Sequence, residues 1–136
     1  MTGKNIFGGL LLILAVFTAG CGDSQKTGYV TGKVTIDGQP APAGLAVIFY
    51  PQDAKVNFPS KGITDANGNY EMSLSFTKKG VHSGVNKVAI ENDGGDDSAI
   101  VNVKIPRRFN EETEITYDVK PGKQTYDINI ETNVSK

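Results

Sequence analysis

Asp65-Ala66-Asn67-Gly68-Asn69-Tyr70-Glu71-Met72-Ser73-Leu74-Ser75-Phe76, the run DANGNYEMSLSF, decides the fold class. Its first five residues are turn chemistry: Asx side chains hydrogen-bond nearby backbone, and Asn67-Gly68 admits positive φ. Its remainder alternates, with Tyr70, Met72, Leu74 and Phe76 on one face and Glu71, Ser73 and Ser75 on the other. That is the period of a half-buried strand. A turn feeding such a strand predicts a hairpin, with residues 62–64 leading into it.

The same period recurs on both sides. Val30, Gly32, Val34 and Ile36 share one face of a first strand that ends at Asp37-Gly38. Leu45 to Tyr50 is apolar on both faces, as a covered central strand is, until Pro51 stops its ladder. Gln52 to Ser60 reads as a loop and Thr77 to Gly84 as a second one; Val85 to Ile90 places Val88 and Ile90 inward. Asn92 to Ser98 is an acidic loop, and Ile100 to Ile105 a short strand ended by Pro106. Ile115, Tyr117, Val119 and Tyr126, Ile128, Ile130, joined by Lys120-Pro121-Gly122-Lys123, read as a terminal hairpin. About seven short strands, closely spaced turns and no helical period predict an all-β, antiparallel Greek-key sandwich of immunoglobulin or prealbumin type.

Composition agrees. The chain has 136 residues, 16 Gly and 6 Pro, enough for one core with many turns. Removing Lys4 with a leader leaves 13 basic against 15 acidic side chains, so composition gives no sign of the strongly basic character that nucleic-acid binding calls for. The single cysteine, Cys21, excludes an internal disulfide and a multi-cysteine metal site.

The amino-terminal region is of another kind. Ile6 to Ala19 is an uncharged stretch of fourteen residues behind Lys4, too short for a spanning helix, which needs about 20 apolar residues, and suited to a cleavable signal helix. Thr18-Ala19-Gly20-Cys21 resembles the lipobox of bacterial lipoproteins, with Thr18 where that family most often has Leu. The resemblance implies cleavage before Cys21 and a diacylglyceryl group on its thiol, making Cys21 the lipidation site and the membrane a partner. Small residues at Thr18 and Gly20 also satisfy ordinary secretory cleavage, which would release a soluble protein. Gly22 in place of Asp favours the outer over the inner membrane by the sorting rule of some diderm lipoproteins. The expected organisation is a signal peptide over 1–20, a lipidated cysteine and tether over 21–28 and a sandwich over 29–136.

Within the sandwich, Val30-x-Gly32-x-Val34-x-x-Asp37-Gly38-x-Pro40, Val47-x-Phe49-x-Pro51, Thr64-Asp65-x-x-Gly68-x-Tyr70, Val88-x-Ile90, Ile105-Pro106-x-x-Phe109 and Val119-x-Pro121-Gly122 occur in order. They resemble the small planctomycete lipoproteins that carry a carboxypeptidase-regulatory-like, transthyretin-like domain. The resemblance implies a non-catalytic prealbumin-like sandwich whose ligand is generally undefined; no cofactor is expected, and an envelope protein or glycan is the candidate partner. Asn86 stands where that strand usually has an aromatic.

The chemistry-bearing residues are few. His82 beside Ser83 is the one candidate nucleophile–base pair, and a small periplasmic hydrolase is its reading. One histidine falls short of the several used by hydroxyisourate hydrolases and the two that hold iron in intradiol dioxygenases. Asp65, Asn67 and Asn69 imitate an EF-hand opening, but Tyr70 and Phe76 stand where Gly and Glu are needed. Asp93-Gly94-Gly95-Asp96-Asp97 is an acidic loop with the oxygen ligands calcium uses, and Lys33 with Asn129 raises an isopeptide bond that parity opposes. Tyr29, Tyr50, Phe58 and Phe109 lack an inward place and are candidates for a sugar or protein platform.

Overall fold

Thr27 to Ile36 form one ten-residue strand, β1, and one sheet is built along it. The computed structural model describes residues 26–92 and 103–133. In chain order β1 is followed by β2 (Gln39–Pro40), β3 (Leu45–Pro51), β4 (Ser60–Ile63), β5 (Asn69–Glu71), β6 (Ser73–Ser75), β7 (Lys78–Lys79), β8 (Val81–His82) and β9 (Gly84–Asn92). A 3-10 turn at Arg107–Phe109 precedes β10 (Thr116–Val119), β11 (Gly122–Thr125) and β12 (Ile128–Ile130). The first sheet has β1 as its axis, with β8, β5 and β2 antiparallel along one edge and β11 then β12 parallel along the other. The second has the order β10-β9-β3-β4-β6-β7, antiparallel throughout. Within it β3, β4 and β6 follow one another and β9 returns beside β3, the Greek-key arrangement.

The two sheets pack as a sandwich. Val30 and Val34 from β1, Tyr70, Met72 and Val81, and Ile128 and Ile130 from β12 meet Leu45, Val47, Phe49, Val88, Ile90 and Val119 in one core. β3 is buried on both faces from Leu45 to Phe49, as its unbroken apolar run requires. Phe49 meets the Tyr117 and Tyr126 rings edge-on at 6.1 and 6.2 Å, and those two stack at 4.2 Å. Asp37 and Gly38 both take positive φ, 49° and 83°, the two-residue turn that suits strand twist between β1 and β2.

The stretch 65–76 does more than make a hairpin. Gly68 N donates to Asp65 O at 3.0 Å and Asp65 N to Asn69 O at 2.8 Å; only Gly68 has positive φ, so Asn67 does not share it. The strand beyond then changes sheets at Met72: β5 pairs with β1, and β6 pairs with β4. Met72 N still donates to Val30 O of the first sheet, at 3.0 Å. Alternation is lost there, and a register irregularity follows between Ser73 and Ser75. Tyr70 and Met72 are buried as expected, but Phe76 is fully exposed.

Other expectations are corrected. The terminal hairpin does not form: Lys120-Pro121 carries the chain from the second sheet to the first, where β11 and β12 lie parallel to β1. Residues 103–105 are irregular, not strand. The Asn92 side chain satisfies Val103 instead, donating to its carbonyl at 2.7 Å and accepting from its N–H at 3.2 Å. β1 begins two residues before the expected start of the domain, because Thr27 and Gly28 pair with His82 and Val81. Asn86 is buried, and its amide donates to His82 O at 3.1 Å and Gly84 O at 2.9 Å. It thereby satisfies carbonyls of the turn that Gly84, at φ 110°, makes into β9.

The strand directions define two ends. Lys26 and Thr27 lie at the entry end, where Ser83 N donates to Lys26 O at 2.9 Å. β3 runs down to that end and β4 returns from it, so residues 52–59 form its loop, tied by Gln52 N to Val85 O at 3.0 Å. The β6–β7 tip at Phe76-Thr77 and the turn at Lys120-Pro121 also lie there: Gly80 abuts Thr27, and Gly28 abuts Val119 and Lys120. The turns at residues 37–38 and 65–68 and the segment 131–133 lie at the far end.

Candidate functional site

Sites on this sandwich have to be built from surface, because the core is filled by side chains. The outer face of the first sheet carries a polar groove of ≈ 560 Å³ that includes Thr31, Lys33, Asn69, Glu71, Thr125 and Asp127. Its floor depends on Gly32. A Cβ there would stand 1.9 Å from Tyr126 O and 2.8 Å from Tyr70 Oη, so only glycine lets the chain between β11 and β12 approach β1. Tyr126 N donates to Thr31 O at 2.8 Å, Tyr70 Oη donates to Tyr126 O, and Asp127 Oδ1 accepts from Lys33 N at 2.9 Å. The Asp127 carboxylate thus takes a β1 amide where the chain bends between two strands.

Charge in this groove is largely used internally. Asp65 Oδ1 accepts from Asn67 N at 2.8 Å and Asn69 N at 3.0 Å, and Glu71 binds Lys79 at 2.7 Å. The EF-hand imitation is therefore an Asx-type turn. Burial pushes the Tyr70 phenol well above its ordinary value, aided by Tyr126, Asp127 and Tyr117; Tyr126 is raised by burial and then by Tyr117. The tyrosines under the groove are neutral hydrogen-bonding groups at physiological pH. No group of three or more His, Cys, Asp or Glu side chains able to hold a metal occurs among the described residues.

A second groove, ≈ 610 Å³, lies on the outer face of the second sheet and is lined by Pro59, Ile63, Leu74 and Phe76 with Lys61, Ser73 and Ser75. It is the more apolar of these two grooves. Phe58 beside it is 73% exposed and Ile63 42% exposed.

The sequence candidates are scattered. His82 is half-buried on β8 with Nδ1 buried and unpartnered; among the described residues no hydrogen bond joins its ring to Ser83, whose N–H is tied to Lys26 O. Asn129 Oδ1 accepts from Thr35 Oγ1 at 2.8 Å, in register with Thr35 and not Lys33. Tyr29 is half-exposed on the first sheet, Tyr50 lies on the second, and Phe109 is buried. These three form no common platform; Phe58 alone stands beside an apolar groove. Sequence reading missed Phe76, whose signal was the turn chemistry of Thr77-Lys78-Lys79-Gly80 directly after it. Cys21, Ile6 to Ala19 and the 93–97 loop lie outside the described residues, and among those described no helix is long and apolar enough to cross a membrane.

No protein-family model matches the chain, and no curated protein matches it. Among solved structures it is similar to a DUF3823 family protein from Parabacteroides merdae, at 14% identity and a TM-score of 0.45. The match covers 78% of this chain and 45% of that one, so this chain spans less than half the length of its structural neighbour.

Proposed function

We propose that the protein is a bacterial envelope lipoprotein, held at a membrane by acyl groups on Cys21, whose sandwich of the carboxypeptidase-regulatory-like kind is a non-catalytic binding or structural module. The observation that carries this reading is the closeness of a rigid strand to the cysteine. Thr-Ala-Gly-Cys ends at residue 21 and β1 begins at Thr27. An apolar leader, a lipobox-like cleavage site and a short connection to a folded domain are the parts a surface-tethered module requires. Several buried acyl methylenes at about 0.8 kcal/mol each would hold it there. The outer membrane is the favoured location.

For ligand recognition, the polar groove over Gly32 suits a hydroxyl-rich envelope glycan or a polar peptide, since it presents Thr31 and Thr125 hydroxyls beside Lys33 and Asp127. Expression of the full chain in a diderm bacterium, followed by intact mass of the mature amino terminus, tests the anchor. Acyl groups on Cys21 and loss of membrane fractionation in Cys21→Ser support it. A bare Cys21 amino terminus in the soluble fraction means a freely secreted carrier instead. The unpartnered His82 Nδ1 is the one observation on the side of a hydrolase; hydrolysis of an ester or peptide panel that His82→Ala abolishes without changing the fold would establish that reading.

A further inference from the structure

The entry end of the sandwich differs from the far end in both charge and apolar exposure. Lys26, Lys55, Lys78, Lys79, Lys120 and Lys123 lie on its loops or beside them, against Asp53 and Asp118. Lys120 is paired with Asp118 at 2.5 Å, and Lys79 with Glu71 farther up the first sheet. Lys26, Lys55, Lys78 and Lys123 have no carboxylate partner among the described residues. The far end carries Asp37, Asp65, Glu91 and Glu131, with Arg108 donating to Glu131 O and Arg107 paired with Glu111 and Glu112. Among the described residues, lysines thus outnumber carboxylates at the end where the chain leaves toward Cys21, while basic and acidic groups offset one another at the far end.

Two phenylalanines project from the same end. Phe76 occupies the β6–β7 tip, fully exposed, and Phe58 occupies the 52–59 loop. Neither is needed to fill the core; Lys78 follows Phe76 by two positions, and Lys55 precedes Phe58 by three in the same loop. Exposed aromatic rings on loops that also carry ammonium groups are the pattern of interfacial membrane contact, in which the aromatic enters the headgroup boundary while lysines meet anionic headgroups. Lys26 lies five positions beyond Cys21, with four residues between them, a reach of at most about 18 Å. An acylated Cys21 would therefore turn this end toward the bilayer.

We propose that the entry end, through Phe58, Phe76 and the lysines around them, docks on the anionic phospholipid surface of the membrane and holds the sandwich upright with its far end presented outward. The orientation rests on the anchored reading; the chemistry of the surface does not, and the two fail separately. The contact is weak alone, since each lysine near an anionic surface contributes only about 1 kcal/mol, and becomes persistent when a lipid anchor keeps it local.

The test uses the mature chain, residues 21–136, as Cys21→Ser, so that no acyl group contributes. Sedimentation with phosphatidylcholine vesicles containing phosphatidylglycerol should show binding that neutral phosphatidylcholine vesicles lack and that added salt removes. Lys78→Gln with Lys123→Gln should lower partitioning on the order of tenfold, and Phe76→Ser should lower it while thermal unfolding stays that of the parent. The chain has no tryptophan, so Phe76→Trp is a local reporter: its emission should shift to the blue with anionic vesicles, while Ala66→Trp at the far end should not move. Equal binding to neutral and anionic vesicles, a blue shift at both ends, or no binding with capture of a protein partner by this end would each overturn the proposal. Failure of acylation at Cys21, read by intact mass on the native chain, would remove the anchor and leave this surface result standing.

Discussion

A single missing Cβ governs the middle of the first sheet. With Tyr126 O 1.9 Å from where a Gly32 Cβ would lie, Gly32→Ala must push backbone, not a flexible side-chain end. It should cost at least about 3 kcal/mol or prevent folding, read as a lower urea midpoint at unchanged slope or as loss of cooperative unfolding. Tyr70→Phe keeps the ring but leaves Tyr126 O without its phenol donor, an expected loss of about 1–3 kcal/mol. The raised pKa values of Tyr70 and Tyr126 fix a pH dependence. Their unfolded value is about 10 and their folded values are higher, so the folded state holds the protons more tightly. Their contribution is complete below about pH 10 and is lost as pH rises toward the folded values. Melting temperature should hold steady from neutral pH to about 9 and fall above 10, and the fall should be shallower in Tyr70→Phe. A fall of equal steepness in the variant would rule Tyr70 out as its source.

At the scale of elements, strands were readable and their partners were not. Period-two alternation marked β1, β9, β10 and β12, because one face of each packs on the core whichever strand lies beside it, and an unbroken apolar run marked β3. Pairing is a long-range property that local chemistry does not encode. Lys120-Pro121-Gly122-Lys123 has the residues of a hairpin turn, yet here it carries the chain between sheets. Phe76 was misplaced for a related reason, since parity holds only while a strand stays in one sheet. In the candidate surfaces, Gly32 was visible as part of the alternating run, but the close approach that demands it comes from Tyr126, far along the chain. The Cys21 expectation rests on local sequence alone and lies outside the described residues. The last element is fastened by a side chain as well as a ladder: the Asp37 carboxylate accepts from Thr132 N at 2.9 Å and from Thr132 Oγ1. These bonds hold the Asp37 carboxyl below its ordinary value. Carboxyl-resolved NMR titration should place its midpoint below about 3.9, and Thr132→Ala should move it back up. The stabilisation is present above the unfolded pKa and fades as pH falls through the folded one.

For the molecule as a whole, the axis of one sheet is its first strand, and the parallel partners of that strand are its last two. The bond from Lys33 N to Asp127 spans 94 positions, so the first sheet cannot close until the carboxy-terminal segment arrives. Such closure carries a large loop-entropy cost before any contact offsets it, which predicts refolding in the millisecond-to-second range. Truncation after Lys120 sharpens the point. It leaves the ladder of the second sheet formally intact but removes the Tyr126 ring stacked on Tyr117 and the buried Ile128 and Ile130. Each lost isoleucine is worth about 2–5 kcal/mol by comparison with large-to-small core substitutions, and a small domain has only about 5–15 kcal/mol in total. The truncated chain should show strand signal without a cooperative thermal transition, while the full chain unfolds in one step. A cooperative transition in the truncated chain would mean that the second sheet and its hairpins form a folding unit without β11 and β12, and that β1 is held well enough by β2, β5 and β8 alone.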